Sequence, residues 1–178
     1  ESLKAENHRL LSSKNYEVFL APAAKIPNIL HEIGRLREIT FREIGEGTNK
    51  AIDLDKFDSY YHHMFLWDAE AKCLAGAYRM GLGSEIFETK GIDGFYLQDL
   101  FRFEPELHTM MSQSIELGRA FIIKSYQQKP MPLFLLWKGI VHTTLRFPEH
   151  NYLIGGVSIS NQFSNFSKSL MIEFMKSH

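Results

Sequence analysis

Ser114-Ile115-Glu116-Leu117-Gly118-Arg119-Ala120-Phe121-Ile122 sets two charges and a glycine inside a stretch that otherwise reads as a strand over 114–123. Side chains alternate across a strand, so Glu116 and Gly118 belong to one face and Leu117 and Arg119 to the other. Bringing Glu116 and Arg119 to a common side needs one extra residue, a bulge, and Gly118 is the residue expected to ease it. The alternative is an ordinary surface ion pair on a regular strand.

Working outward, 133–145 carries enough Leu, Phe, Trp and Ile to be a mostly buried helix, with Trp137 expected in the core. A strand at 152–159 and a helix at 163–175 follow. On the other side, 61–67 and 73–82 read as a hairpin joined by Asp68-Ala69-Glu70-Ala71-Lys72. Earlier still, Pro27 opens a helix in which Ile29, Leu30, Ile33, Leu36 and Ile39 recur at helical spacing, and Gly45-Glu46-Gly47 ends it. A first strand at 16–21 is closed by Pro22. Between the hairpin and the opening strand only 95–97, 101–103 and a helical start at Glu104-Pro105 stand out. This order predicts an α/β (α+β) fold, a central mixed sheet flanked by helices, with the last two strands parallel.

At 178 residues the chain fits one domain, taken as 15–178, with 1–14 read as a linker or N-terminal extension. Twenty basic against 21 acidic residues give a net charge of -1, so no overall field draws in nucleic acid, and a charged partner must meet a local patch. The lone Cys73 excludes an internal disulfide and suits a reducing compartment, so a cytoplasmic location is expected. No run approaches the roughly 18 apolar residues of a membrane span, and the start lacks a signal-peptide apolar region. His62 and His63 point to opposite strand faces without matched ligand spacing, so no metal site is expected.

Several motifs share one resemblance. Leu36-Arg37-Glu38-Ile39-Thr40-Phe41 resembles the "LR-x-x-x-F" helix of the acyl-homoserine-lactone synthases and of the bacterial aminolipid N-acyltransferases, hemolysin-like proteins that acylate ornithine or glycine. Asp55-Lys56-Phe57-Asp58 is similar to their "D-x-F/Y-D" element, and Gly76-Ala77-Tyr78-Arg79 to their "G-x-x-R" strand end. The strand at Glu116 resembles "S-x-E-L-G-R-x-x-V" of the aminolipid branch, and Leu135-Leu136-Trp137-Lys138-Gly139-Ile140 its "LLW-x-G-I" helix. The likeness runs from about residue 16 to 166.

The resemblance implies a GNAT-like fold and transfer of a fatty acyl group from acyl carrier protein to a small amine such as ornithine or glycine, in aminolipid synthesis. The donor is then an acyl-phosphopantetheine thioester and no cofactor is tightly bound. Glu116 is the candidate base, Arg119 orients the acyl carbonyl or Glu116, and a backbone N–H freed near Gly118 stabilises the oxyanion. Arg37, Phe41, Asp55, Asp58 and Arg79 fall on the acceptor side, carboxylates for an ammonium and an arginine for a carboxylate; Asp55 and Asp58 as a plain helix cap is the other reading. Ala120, Phe121 and Lys129 fall on the donor side.

Two departures from the family pattern shape these expectations. GNAT pyrophosphate loops are rich in glycine, whereas Gln127-Gln128-Lys129-Pro130-Met131-Pro132-Leu133 has two prolines and no glycine, which argues against coenzyme A. The fold usually continues past a helix like that at 163–175, so a C-terminal truncation at His178 is expected. Lys124, Lys129, Lys138 and Arg146 either face an acidic carrier protein or are simply solvated. The 14 phenylalanines leave open core packing, an acyl pocket or peripheral contact with the inner membrane face. An acyl-homoserine-lactone synthase and a non-catalytic acyl or carrier-binding module are the competing readings.

Overall fold

The computed structural model describes residues 7–159 and 162–178. Six strands form one sheet in sequence order: β1 (Arg9–Ser13), β2 (Tyr16–Pro22), β3 (His62–Asp68), β4 (Cys73–Leu82), β5 (Ser114–Ile122) and β6 (Tyr152–Ile154). Neighbours are antiparallel except β5 and β6, which are parallel as expected. The helices are α1 (Pro27–Glu43), α2 (Gly83–Lys90), α3 (His108–Ser112), α4 (Lys124–Gln127), α5 (Pro130–Arg146) and α6 (Asn165–Ser177).

Period-two alternation makes both sheet faces apolar. Phe19, Ala21, Phe65, Ala77 and Phe121 point to one face, where Ile33 of α1 joins them with Ile29, Leu30 and Leu36 alongside. Val18, Leu20, Met64, Leu66, Met80 and Ile115 point to the other, under Leu135 and Leu136 of α5. Each fully buried Val, Leu, Ile, Phe or Met side chain contributes about 1.5–3 kcal/mol, so the two helices are fixed on opposite sides of the sheet by burial. Trp137 departs from expectation: it lies on the outer side of α5 and is 61% exposed, because the inward stripe is already filled by residues 135, 136 and 139.

Residues 9–13, inside the stretch read as linker or extension, form β1 on the edge of β2, with a register shift that hides its alternation in the sequence; residues 1–6 lie outside the described residues. β6 is shorter than the strand expected at 152–159. The weakly patterned middle contains α2, α3 and several 3-10 turns, including Tyr96–Asp99 and, at the expected helical start, Pro105–Leu107. Among the described residues no helix is long and apolar enough to cross a membrane.

Two features of this frame set up the site. In the β4–β5 ladder Arg79 faces Gly118 while Ala77 faces Phe121, so Arg119 and Ala120 together stand opposite Tyr78. On its other edge β5 pairs with β6 only from Ser114 to Glu116. Past Glu116, β5 is therefore bulged on one edge and has no strand partner on the other among the described residues.

Candidate active site

The bulge expected in β5 is present, and its strain sits on Arg119 rather than Gly118. Arg119 has φ +51°, a left-handed conformation that costs a side-chain-bearing residue about 1–3 kcal/mol, whereas Gly118 has no positive φ. The extra residue shifts the parity of the strand and turns Arg119 onto the face of Glu116. The two charges do not pair. Glu116 accepts from the backbone N–H of Tyr96 at 3.1 Å, and the Arg119 guanidinium lies 5.5 Å from the centre of the Tyr96 ring. They meet through Tyr96.

Glu116 is 2% exposed, and its oxygens take three hydrogen bonds: from the Tyr61 hydroxyl, from Tyr96 N and from Leu97 N at 2.8 Å. Burial raises its pKa above the usual carboxylate range, and these donors only partly offset the rise. Burial and the adjacent Glu116 carboxylate push the Tyr61 hydroxyl pKa far up, so Tyr61 remains the donor. The expected base is thus walled in, and what it visibly does is hold the 3-10 turn at Tyr96–Asp99 against the sheet.

The residues expected around the acceptor assemble beside it. Gly34 lets the chain at Ile52 and Leu54 lie against α1, since a Cβ there would stand 2.6 Å from Ile52 Cγ2. That approach delivers Asp53 to Arg37, whose Nε donates to Asp53 Oδ2 at 2.9 Å while Nη1 and Nη2 grip both oxygens of Asp58 at 3.1 and 2.8 Å. Arg37 Nη2 also donates to the Asp53 carbonyl. Burial alone would raise the Asp58 pKa; Arg37 and Arg79 reverse that and hold it below the ordinary value. Asp55 and Asp58 form a reciprocal capping box on the 3-10 turn Lys56–Ser59, so the capping reading applies as well. Arg79 Nη1 donates to Asp55 Oδ1 at 2.6 Å, and its guanidinium lies over the rings of Phe57, Tyr61 and Tyr96.

Burial sorts this cluster. Arg37, Asp53, Asp58 and Arg79 are sealed from solvent and bound to one another. Asp55 and Arg119 keep solvent access, with side chains 26% and 23% exposed, and their closest charged atoms are 3.6 Å apart. Among the described residues Asp55 Oδ2 makes no hydrogen bond; its charged neighbour is Arg119. An Asp–Arg pair this loose at the mouth of a buried ionic cluster can hold the ammonium and carboxylate of an amino acid.

On the far side of the bulge, Ala120 and Phe121 line an apolar groove of about 280 Å³ with Thr40, Phe41, Tyr78 and Leu136. Phe41, expected with the acceptor, belongs to this groove instead, one turn of α1 beyond Arg37. The groove continues into a second depression, about 420 Å³, formed by Gln127, Gln128, Lys129, Pro130, Leu133, Phe134 and Trp137. Lys129 thus stands at the mouth, its Nζ 4.2 Å from the centre of the Tyr126 ring. From 119 to 148 every Lys, Arg, Asp or Glu is basic: Arg119, Lys124, Lys129, Lys138 and Arg146. Sequence reasoning missed Tyr61, Tyr78 and Tyr96, whose roles depend on packing between segments far apart in the chain.

The span from α1 through the bulge to the exposed tryptophan is also where this chain matches a known family. A profile described as an acetyltransferase (GNAT) domain covers residues 36–137, more than half of the chain. The chain belongs to the GNAT acetyltransferase family. Within it, the chain is 30% identical to a glycine N(alpha)-acyltransferase of Bacteroides thetaiotaomicron, over all of this chain and 58% of that protein. It is 31% identical to a glycine N(alpha)-acyltransferase of Phocaeicola vulgatus, over all of this chain and 60% of that protein. The chain therefore spans somewhat over half the length of these GNAT relatives. Among solved structures, the AHL synthase LasI superposes with a TM-score of 0.57 at 14% identity, covering 90% of this chain and 78% of that one. That likeness is one of fold.

Proposed function

We propose that this GNAT domain transfers a fatty acyl group from a phosphopantetheine thioester on acyl carrier protein to the amine of an amino acid, glycine in the first instance, as a step of aminolipid synthesis. The observation that carries the reading is the bulge at Arg119–Ala120, which has an apolar groove on one side and the Asp55–Arg119 pair on the other. An acyl thioester laid in the groove meets an amino acid held at the pair, and the reaction needs no covalent enzyme intermediate.

Arg119 binds the α-carboxylate; Asp55 Oδ2 receives the ammonium and takes one proton from it, the neutral amine then attacks the thioester carbonyl, and as the C–S bond breaks the pantetheine thiolate leaves and takes the second proton of the nitrogen. The backbone N–H groups of the bulge stabilise the oxyanion, a contribution of about 3 kcal/mol for a well-aimed donor. Arg37, Asp53, Asp58 and Arg79 hold Asp55 and Arg119 in place, and Glu116 holds Tyr96 against both arginines. Carrier protein is favoured over coenzyme A because the mouth of the groove offers Pro130 and Pro132 where a pyrophosphate cradle needs free N–H groups, and because the segment around it is uniformly basic. The activity for which these relatives are named, glycine N-acylation, supports the choice of acceptor.

The test is incubation with acyl carrier protein thioesters or acyl coenzyme A and a panel of amino acids, reading thiol release and product mass. N-acylglycine formed from the carrier thioester is the expected result. Transfer from coenzyme A alone would overturn the donor, and a lactone product would overturn the acceptor.

A further inference from the structure

Neither its φ nor the packing of the described residues requires Gly118 to be glycine. Every other described glycine either has a positive φ or has a neighbouring atom within 4 Å of the place a Cβ would take; at Gly118 a Cβ would meet nothing within 4 Å among the described residues, and φ is not positive. Alanine would therefore fit, and a glycine inside a strand loses more backbone freedom on folding than alanine does. A bare strand position beside a bulge also marks a place that a ligand can approach closely.

The surroundings name that ligand. Gly118 is directly paired with Arg79, so the missing side chain would project on the face of Arg79 and Glu116, the face onto which the bulge also turns Arg119. Two guanidinium nitrogens of these arginines, Arg79 Nη2 and Arg119 Nε, are buried and have no hydrogen-bond partner among the described residues. An open, half-buried space beside two incompletely used cations, next to the bulge, suits the small zwitterion of an amino acid.

We propose that the space over Gly118 seats the amine and α-carbon of the acceptor, which makes Gly118 a specificity-determining position: the substrate fills the volume a side chain would occupy. This rests on the N-acyltransferase reading above. It places the attacking nitrogen one residue before the bulge N–H groups that receive the thioester oxygen, so nucleophile and electrophile meet across a single peptide unit.

The experiment compares wild type with Gly118→Ala and Gly118→Val in thermal melting, in binding of acyl carrier protein thioester, and in steady-state transfer to glycine. Gly118→Ala is expected to melt at or above the wild-type temperature and to bind donor normally, while its KM for glycine rises at least tenfold; Gly118→Val transfers nothing. An unchanged glycine KM in Gly118→Ala overturns the proposal, and so does a lowered melting temperature, which would make glycine a backbone requirement. A wild-type protein that acylates no amine overturns instead the reading beneath it.

Discussion

The carboxylate of Glu116 ends on the backbone N–H of Leu97, 2.8 Å away, so a buried strand residue anchors a turn that carries Tyr96 to both site arginines. Replacing Glu116 with Gln swaps one acceptor oxygen for an NH2 group facing donors. The expected outcome is a loss of about 1–3 kcal/mol of stability together with most of the turnover, measured by denaturant unfolding and acyl-transfer rate. A full-strength fold with no turnover would restore Glu116 as a direct base. The sign of the pH effect is also set. The Glu116 pKa is raised in the folded state, so its contribution to stability is present below the unfolded value and is lost as pH rises through the folded one.

Arg37 is the keystone of the ionic cluster. Arg37→Met leaves Asp53 and Asp58 buried without their main cation, and a loss of about 3–5 kcal/mol is expected from that imbalance. Arg37→Lys should fall only slightly less far, because one ammonium cannot replace a guanidinium that donates from three nitrogens to two carboxylates and a carbonyl. Chemical denaturation of both variants checks this. A surface-like cost, under about 1 kcal/mol, would mean the cluster is hydrated in solution.

Glu38 governs acid stability at the other side of the same helix. Its carboxylate takes hydrogen bonds from Thr48 N and Oγ1, Asn49 N and the Arg42 guanidinium, which pulls its pKa down to about 2, the Thr48 hydroxyl being the largest cause. A depressed folded pKa stabilises above the unfolded value, about 4.3, and that contribution is lost as pH falls toward 2. Melting curves of wild type and Glu38→Gln should therefore be well separated at pH 6 and converge between about pH 4 and 2. Parallel curves across that range would refute the assignment.

What the sequence revealed and hid follows from which signals are local. The strands around 16–21, 61–67, 73–82 and 114–123 and the two long helices were legible because burial on a sheet face or helix stripe imposes a period that a single segment displays. The bulge was legible because Glu116 and Arg119 sit on opposite faces of an ideal strand, but its strained residue was not: alternation locates an irregularity only to within a residue or two. β1 was hidden by its own register shift, and α2 by its brevity and by Gly83, where a Cβ would come within 2.3 Å of the Met111 carbonyl oxygen. The family resemblance grouped Arg37, Asp58 and Arg79, and the structure places them in one ionic cluster, while their burial depended on Gly34 admitting the loop at 52–54, a contact between distant segments. Trp137 was misplaced in the core because one helix of apolar residues does not say which of them faces the sheet.

Lys129 and Lys138 test the donor's identity without touching the chemistry. Both are exposed, and Lys129 borders the depression at the groove mouth, where its Nζ lies over the ring of the core residue Tyr126. Attraction between such lysines and an acidic carrier acts over about 8–10 Å, chiefly on association, and is screened by salt. Lys129→Glu with Lys138→Glu should raise KM for the carrier-protein thioester several-fold, steepest at low ionic strength, while kcat, glycine KM and melting temperature stay near wild type. A short acyl-pantetheine donor, which has no acidic surface, should show no such penalty. Equal effects on both donors would mean that the lysines shape the groove itself and that the basic segment is not a carrier-docking surface.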